Sequence, residues 1–253
     1  MKVLLFTLFG MMFFTTQLVA ETIRITSGEW EPFLSKHIYK YGLDSHIVTE
    51  AFKLEGIDVE WGFFPWQRSY ENAKNSNSWD ASCCWWPDEA TKNEFFVSDT
   101  ITETSFVFYH LKSYTFHWDA LKDLKGIKIG GTSEYHYGNE FMNAIEAKVL
   151  NVEYTPKDEF NYKKLLAGRI EIFPNDPAVG NAQIRNSLSP EEANLITYSR
   201  KKFGESTLHL IVSKNKKRNK YFLDKFNAGL KKLKASGRYQ EMLNDLESGK
   251  YDN

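Results

Sequence analysis

The chain has 253 residues, 26% of them charged and 15% aromatic, with a formal net charge of −1. That length holds one large or two modest domains around a real core, and the composition excludes a disordered chain. Acidic and basic residues are interspersed, which excludes the basic stripe that tracks nucleic acid. The cluster from Lys214 to Lys220 falls where a loop enters a helix and reads as a solvated helix start.

The N-terminus reads as a targeting segment, residues 1–20. Lys2 supplies the positive start, Val3 to Phe14 the short apolar run, and Gln17-Leu18-Val19-Ala20 a cleavable end. No later apolar run reaches about 18 residues, so the mature chain is expected to be exported, soluble and periplasmic.

Thr22 to Thr26 alternates as a first strand, and Ser27 to Phe33 forms a turn carrying Trp30. Asp44 to Leu54 places Ile47, Val48, Ala51, Phe52 and Leu54 on one helical face, with Gly56 closing it. Ile57 to Trp61 alternates again. Pro65 fits a helix N1 position ahead of a short helix, Trp66 to Lys74, and Ala81 to Trp85 is a short apolar run suited to a buried parallel strand. This half is β-α-β-α-β, the pattern of a parallel sheet with covering helices.

Thr102 to His110 leads out of that unit as a strand. A second unit has strands at Ile127 to Gly130, Val152 to Thr155 and Ile170 to Phe173. Its helices are expected from Gly131-Thr132-Ser133 to about Lys148, from Phe160 to Ala167, and from Pro177 onward. Leu195 to Tyr198 and Leu208 to Ser213 are further strands. Two helices, Asn219 to Lys234 and Arg238 to Leu246, finish the chain, with Gly237 between them.

Phe64 to Thr100 holds four of the seven tryptophans (Trp66, Trp79, Trp85 and Trp86) and both cysteines. Cys83 and Cys84 are adjacent, so their Cα atoms are about 3.8 Å apart, below the usual disulfide range of about 4.4–6.8 Å. They read as two small buried residues on a strand, pointing to opposite faces. A strained ring or an intermolecular bridge are the alternatives. The histidines (His37, His46, His110, His117, His136, His209) show no metal-ligand spacing, and Gly130-Gly131-Thr132 lacks the P-loop lysine. No metal or cofactor is expected. In open parallel sheets ligands sit beyond the carboxyl ends of strands, here the loops after Thr26, Trp85, Gly130 and Phe173.

With those loops in view, the whole mature chain resembles the periplasmic solute-binding proteins of family 3, polar amino-acid binders that serve ABC importers. The matching segments are GEWEPF, GLDSHIVTEAFK, PDEATKNEFFVSDTI, LKDLKGIKIGGTS, LLAGRIEIFPND and FNAGLKKLKASGRYQEML. No one of them is diagnostic; their order and spacing carry the resemblance. It implies an α/β chain of two Rossmann-like lobes on a two-strand hinge, the periplasmic binding protein-like II fold. Lobe one would comprise residues 21–103 plus 204–253, and lobe two residues 104–203.

The resemblance also implies a site. Trp30 stands where the family has an aromatic that packs on the ligand; it could equally shield the sheet edge. Thr132 and Ser133 match the residues that hold a ligand carboxylate, and would also serve as plain helix caps. Asp176 matches the aspartate that pairs with a ligand amine, or it caps the helix that follows. Asn175 is a polar neighbour. The family's carboxylate-binding arginine is missing: Thr91, or Lys92 with a one-residue shift, stands there, and no arginine occurs from Ser69 to Gly168. Arg68 could substitute, or brace the interlobe loop. One indole of Trp85 and Trp86 is expected in the cleft and the other in the lobe packing, Trp85 being favoured for the cleft.

The resulting expectation is a monomeric binder of a small amine-bearing or amino-acid-like solute, serving an inner-membrane ABC permease. A sensor-input module is the alternative. A dehydratase-like enzyme on the same fold would need a placed acid, with Glu29, Glu31 and Glu134 as candidates.

Overall fold

A computed structural model describes residues 21–133 and 135–252. The proposed signal segment and Glu134 lie outside the described residues. The chain starts with β1 (Glu21–Ser27), α1 (Leu43–Lys53), β2 (Ile57–Phe63), α2 (Trp66–Asn75) and β3 (Ala81–Trp85). β1 pairs in parallel with both β2 and β3, as the β-α-β-α-β pattern requires. Gly42 opens α1 at φ 98°, and a Cβ there would meet the Phe33 carbonyl oxygen at 2.3 Å, so only glycine allows this entry. The α1 face made by Ile47, Val48, Ala51 and Phe52 is fully buried, whereas Leu54, expected on the same face, is the C-cap beyond the last turn and is exposed. Pro65 is the N-cap of α2, one position ahead of the N1 role expected for it.

Next come α3 (Glu89–Glu94), β4 (Phe95–Val97) and the long β5 (Thr102–Leu111). The second unit contains β6 (Ile129–Thr132), α4 (Asn139–Glu146), β7 (Val152–Thr155), α5 (Asp158–Leu166), β8 (Phe173–Asn175) and α6 (Pro177–Ser187). The chain closes with α7 (Pro190–Leu195), β9 (Ile196–Tyr198), β10 (Phe203–Ser213), α8 (Asn219–Ala235) and α9 (Arg238–Glu247).

The main sheet runs β2-β1-β3-β10-β5-β8, with β4 added on β10 and β9 on β5, while β6 and β7 form a separate parallel pair. Two antiparallel strands, β5 and β10, carry the sheet from one half of the molecule to the other, pairing Thr104 with Ser206 and Thr102 with Leu208. One core draws on both chain ends: Ile23, Ile25, Phe52, Leu210, Phe222 and Phe226 pack together. The middle of the chain builds its own cores, around Phe106, Phe108, Tyr137 and Phe141, and around Tyr109, Tyr162 and Phe173. Burying each such aromatic contributes about 1.5–3 kcal/mol, so each half has its own apolar driving force.

Three expectations are corrected. The helix expected at Gly131-Thr132-Ser133 starts only at Asn139, after Gly138. Instead β6 continues through Thr132 and Ser133 N–H donates to the Thr155 carbonyl at 2.8 Å, so this backbone belongs to the β6–β7 pair. The strand expected at Ile170 to Phe173 is shifted to Phe173–Asn175, where it pairs with β5. The cysteines do not point to opposite faces. Cys84 adopts φ 64°, the β3–β10 register slips between His209 and Ile211, and the two sulfurs end 3.8 Å apart. A bulge of this kind cancels strand alternation.

Candidate functional site

Between the two halves lies a cavity of about 650 Å³, within the usual range of about 300–1,000 Å³ for small-molecule sites. Its aromatic lining comes from Trp30, Trp66, Tyr70, Trp85 and Trp86 on one side and from Phe106, Tyr135 and His136 on the other. A second cavity of about 470 Å³ shares Trp86, Thr104 and Ser206 with it across the connecting strands.

Local geometry explains this aromatic wall. Trp30 sits in a tight turn, its N–H donating to the Leu34 carbonyl at 2.6 Å, with its ring stacked on Phe33 at 4.9 Å. Trp66 opens α2 and lies over Gly28, where a Cβ would come within 2.3 Å of the indole; a side chain at 28 would push this tryptophan out of the wall. Trp85 meets Trp66 edge-on at 5.5 Å and Tyr70 at 5.2 Å, and its Nε1–H donates to Ser82 at 2.7 Å. Trp86 reaches across the cleft to His136, ring centroids 4.8 Å apart and nearly perpendicular. Both indoles line the cavity, so the expected division between cleft and lobe packing is not seen; β3 ends at Trp85, and Trp86 already belongs to the loop.

The charged groups around the cavity are unbalanced. Asp88 and Glu89 line it, facing Lys92, and the Lys92 ammonium is paired with Glu89 at 2.7 Å. Asp88 caps α3 by accepting from Thr91 N–H at 2.8 Å, and that backbone hydrogen bond holds its carboxyl below the ordinary range. His136 is pushed down by burial, with the Asp88 charge acting in the opposite direction. Thr91, expected from the resemblance at the position of a carboxylate-binding arginine, is buried, and no arginine among the described residues lines the cavity.

At the floor are Cys84, Thr104, Ser206 and Leu208. The Ser206 hydroxyl is buried and has no hydrogen-bond partner among the described residues. Cys84 Sγ–H donates to Asp44 Oδ2, and Thr102 Oγ1–H lies 2.9 and 3.0 Å from the two oxygens of the same carboxyl group. Burial pushes Asp44 up to about 7.

Several residues named from the sequence lie away from the cavity lining. Arg68 is exposed on α2, its guanidinium 5.3 Å from the Phe64 ring centroid, because the first turn of α2 turns this position outward. Thr132 is buried: its hydroxyl donates to Asp158 and its N–H to the Tyr137 hydroxyl at 2.7 Å. Ser133 is exposed, with its N–H taken by Thr155. The helix-end basis for anion binding at these two residues is therefore gone. Asp176 is buried at the N-cap of α6. One oxygen accepts from Ala178 and Val179 N–H at 2.8 and 3.3 Å, the other from Thr104 at 2.7 Å, and burial raises its carboxyl. Its acceptor capacity is spent inside the protein. Asn175, also buried, donates to Tyr162 and Gln183. Of the acids considered for catalysis, Glu31 accepts from Ser35 and Glu29 is exposed; neither lines the cavity.

Sequence reasoning missed Trp66, Tyr70, Thr104, Tyr135, His136 and Ser206 as cavity residues. Trp66 and Tyr70 were legible, since their i,i+4 spacing stacks them on one helical face. The others sit on the connecting strands or in the loop before α4, which only the tertiary fold brings to this cavity.

Comparison with solved structures places this geometry in a class. A histidine kinase sensor domain with similarity to periplasmic binding proteins superposes with a TM-score of 0.72 at 15% identity, covering 90% of this chain and 96% of that one. An ancestral arginine-binding protein bound to arginine gives 0.68 at 20% identity, covering 89% and 97%. The arginine-, lysine-, histidine-binding protein ArtJ from Geobacillus stearothermophilus gives 0.66 at 19%, covering 89% and 95%. No protein-family model matches the chain, and no curated protein matches it. The chain thus has the two-lobed α/β fold of the periplasmic binding proteins, type II, with β5 and β10 as the two-strand connection. Among the described residues no helix is long and apolar enough to cross a membrane.

Proposed function

We propose that the protein is a periplasmic solute-binding protein that captures a small amine-bearing or amino-acid-like solute between its lobes and delivers it to an ABC importer's inner-membrane permease. In this reading lobe one comprises residues 21–103 plus 204–253 and lobe two residues 104–203, and the lobes close about β5 and β10 as a hinge. The observation that carries it is the cavity's lining: aromatic faces from Trp30, Trp66, Tyr70, Trp85 and Trp86, with two carboxylates against one already paired lysine. Such a lining favours a cation, which gains about 0.5–2 kcal/mol over an indole face. Without an arginine it offers no bidentate partner to a ligand carboxylate. The amine is met by Asp88 and the aromatic wall, not by Asp176, whose oxygens are occupied by backbone and Thr104.

Titration calorimetry with phenylalanine, phenethylamine, spermidine, choline and a dipeptide tests this. Phenethylamine should bind more tightly than phenylalanine, and Trp85→Ala should weaken it about tenfold or more. Silence across the whole panel would remove the amine reading. A sensor-input role is the second reading, supported by the likeness to a kinase sensor domain. Pull-down from solubilised membranes separates the two, by recovering a permease in one case and a receptor in the other.

A further inference from the structure

The structure joins the two cysteines to the ligand cavity in a way that the binding function does not use. Cys84 lines the cavity floor and is 7% exposed, while Cys83 directly behind it is fully buried. Cys84 holds φ 64°, a conformation that non-glycine residues rarely adopt and that persists only where the surroundings impose it. The consequence is specific: both sulfurs lie on the same side, 3.8 Å apart, and both are free thiols. A third group completes the arrangement. The Asp44 carboxyl accepts the Cys84 S–H and is itself held by the Thr102 hydroxyl at 2.9 Å.

We propose that Cys83 and Cys84 are a redox-modified pair beneath the ligand cavity, closing to a vicinal disulfide by exchange with a low-molecular-weight disulfide admitted through the cavity, and that closure weakens ligand binding. The proposal rests on the cavity being the ligand site. Asp44 takes the proton from Cys84, whose sulfur attacks one sulfur of the oxidant, RSSR. The RS–SR bond breaks and the leaving RS⁻ recovers the proton from Asp44, giving the mixed disulfide Cys84–S–S–R and one RSH. Cys83 then attacks the Cys84 sulfur. The S–S bond of the mixed disulfide breaks, the second RS⁻ leaves with the Cys83 proton, and the total is one intramolecular disulfide and two RSH.

Each part of the site has a place in this sequence. Burial pushes both thiols up, so exchange without a local base is slow, and Asp44 is the base in contact. Only Cys84 is reached from the cavity, so it is attacked first and Cys83 resolves. A disulfide between neighbouring residues departs from the usual geometry and is correspondingly easy to reduce, which suits reversal. Closure removes the S–H donor from Asp44 and shifts the backbone next to Trp85, which walls the cavity.

The experiment exposes the full mature chain to 2-hydroxyethyl disulfide and follows it by intact mass, peptide mapping and phenethylamine calorimetry. In the wild type both thiols should disappear with no adduct retained, within one chain, and return on reduction. Cys83→Ser should stop with a hydroxyethyl adduct on Cys84, and Cys84→Ser should stay unmodified. Asp44→Asn should react about a hundredfold more slowly. Phenethylamine affinity should fall about tenfold on closure and recover on reduction. Two persistent thiols, or a stable adduct on wild-type Cys84, would overturn the exchange chemistry. Ring closure without a change in affinity would overturn the coupling to the cavity. Absence of phenethylamine binding in the reduced protein would instead count against the amine reading and leave the thiol result to decide the chemistry.

Discussion

Asp44 on α1 and Asp158 on α5 are both buried carboxyls that bind hydroxyls from neighbouring strands, yet their surroundings differ. Asp158 is fixed by the Thr132 hydroxyl, the Tyr135 hydroxyl at 3.3 Å and the Gln183 amide at 2.7 Å. These donors tie the end of β6, the loop before α4 and α6 into one polar knot. Asp44 has Thr102 and a thiol, and the thiol belongs to a residue on the cavity floor. Burial raises both carboxyls, and Asp44 reaches about 7. The difference teaches that one buried acid staples a lobe together while the other stays poised to exchange a proton next to the cleft.

The largest expected effect exploits the poise of Asp44. Its folded pKa lies above the unfolded value, so the folded state binds the extra proton between about 4 and 7. Stability from this group is present below the ordinary carboxyl range and is lost as pH rises through about 7. Asp158 and Asp176 are raised in the same direction. His46 is lowered to about 4, so it works oppositely, adding stability as pH rises from about 4 to 6.5. Replacing Asp44 with Asn should therefore remove a decline of about 4 kcal/mol between roughly pH 4 and 8. Urea unfolding of both proteins at several pH values measures it, and parallel pH profiles would refute the assigned poise of Asp44.

Next in size is the staple. Asp158→Ala leaves three donors without an acceptor and should cost about 3 kcal/mol, read as a lower denaturation midpoint at unchanged slope. A smaller cost than that of Asp176→Ala would mean that the knot is not the stronger tie. Asp176→Ala itself should cost about 1–2 kcal/mol through the lost cap of α6, with phenethylamine affinity unchanged in calorimetry. A clear loss of affinity there would return Asp176 to the ligand site. Smallest of all, Arg68→Ala should alter stability by no more than about 0.5 kcal/mol and leave binding intact, since Arg68 is exposed and its contact is with the half-buried Phe64 ring.

The fold was legible to the extent that it follows from periodicity and punctuation. The α1 stripe from Ile47 to Phe52, the Pro-started α6 and the alternating first strands are local patterns, and they lie where the sequence puts them. The start of α4 was misread because Gly131-Thr132-Ser133 has capping chemistry, yet its backbone is claimed by pairing with β7, a partner some twenty residues away. Cysteine orientation failed for a similar reason. Alternation holds for a regular strand, and the bulge opposite β10 is set by a segment more than a hundred residues later.

By itself, then, the sequence determined two α/β units, their connection by extended segments, the aromatic richness from Phe64 to Thr100 and the lack of any arginine from Ser69 to Gly168, because each is written in local residue types. Only the tertiary structure decided which aromatics wall one cavity, that Asp176 spends its oxygens on a helix cap and on Thr104, and that Cys84 turns its thiol toward Asp44. These depend on contacts between segments far apart in the chain, where burial and hydrogen-bond competition, not local propensity, assign each polar group its partner.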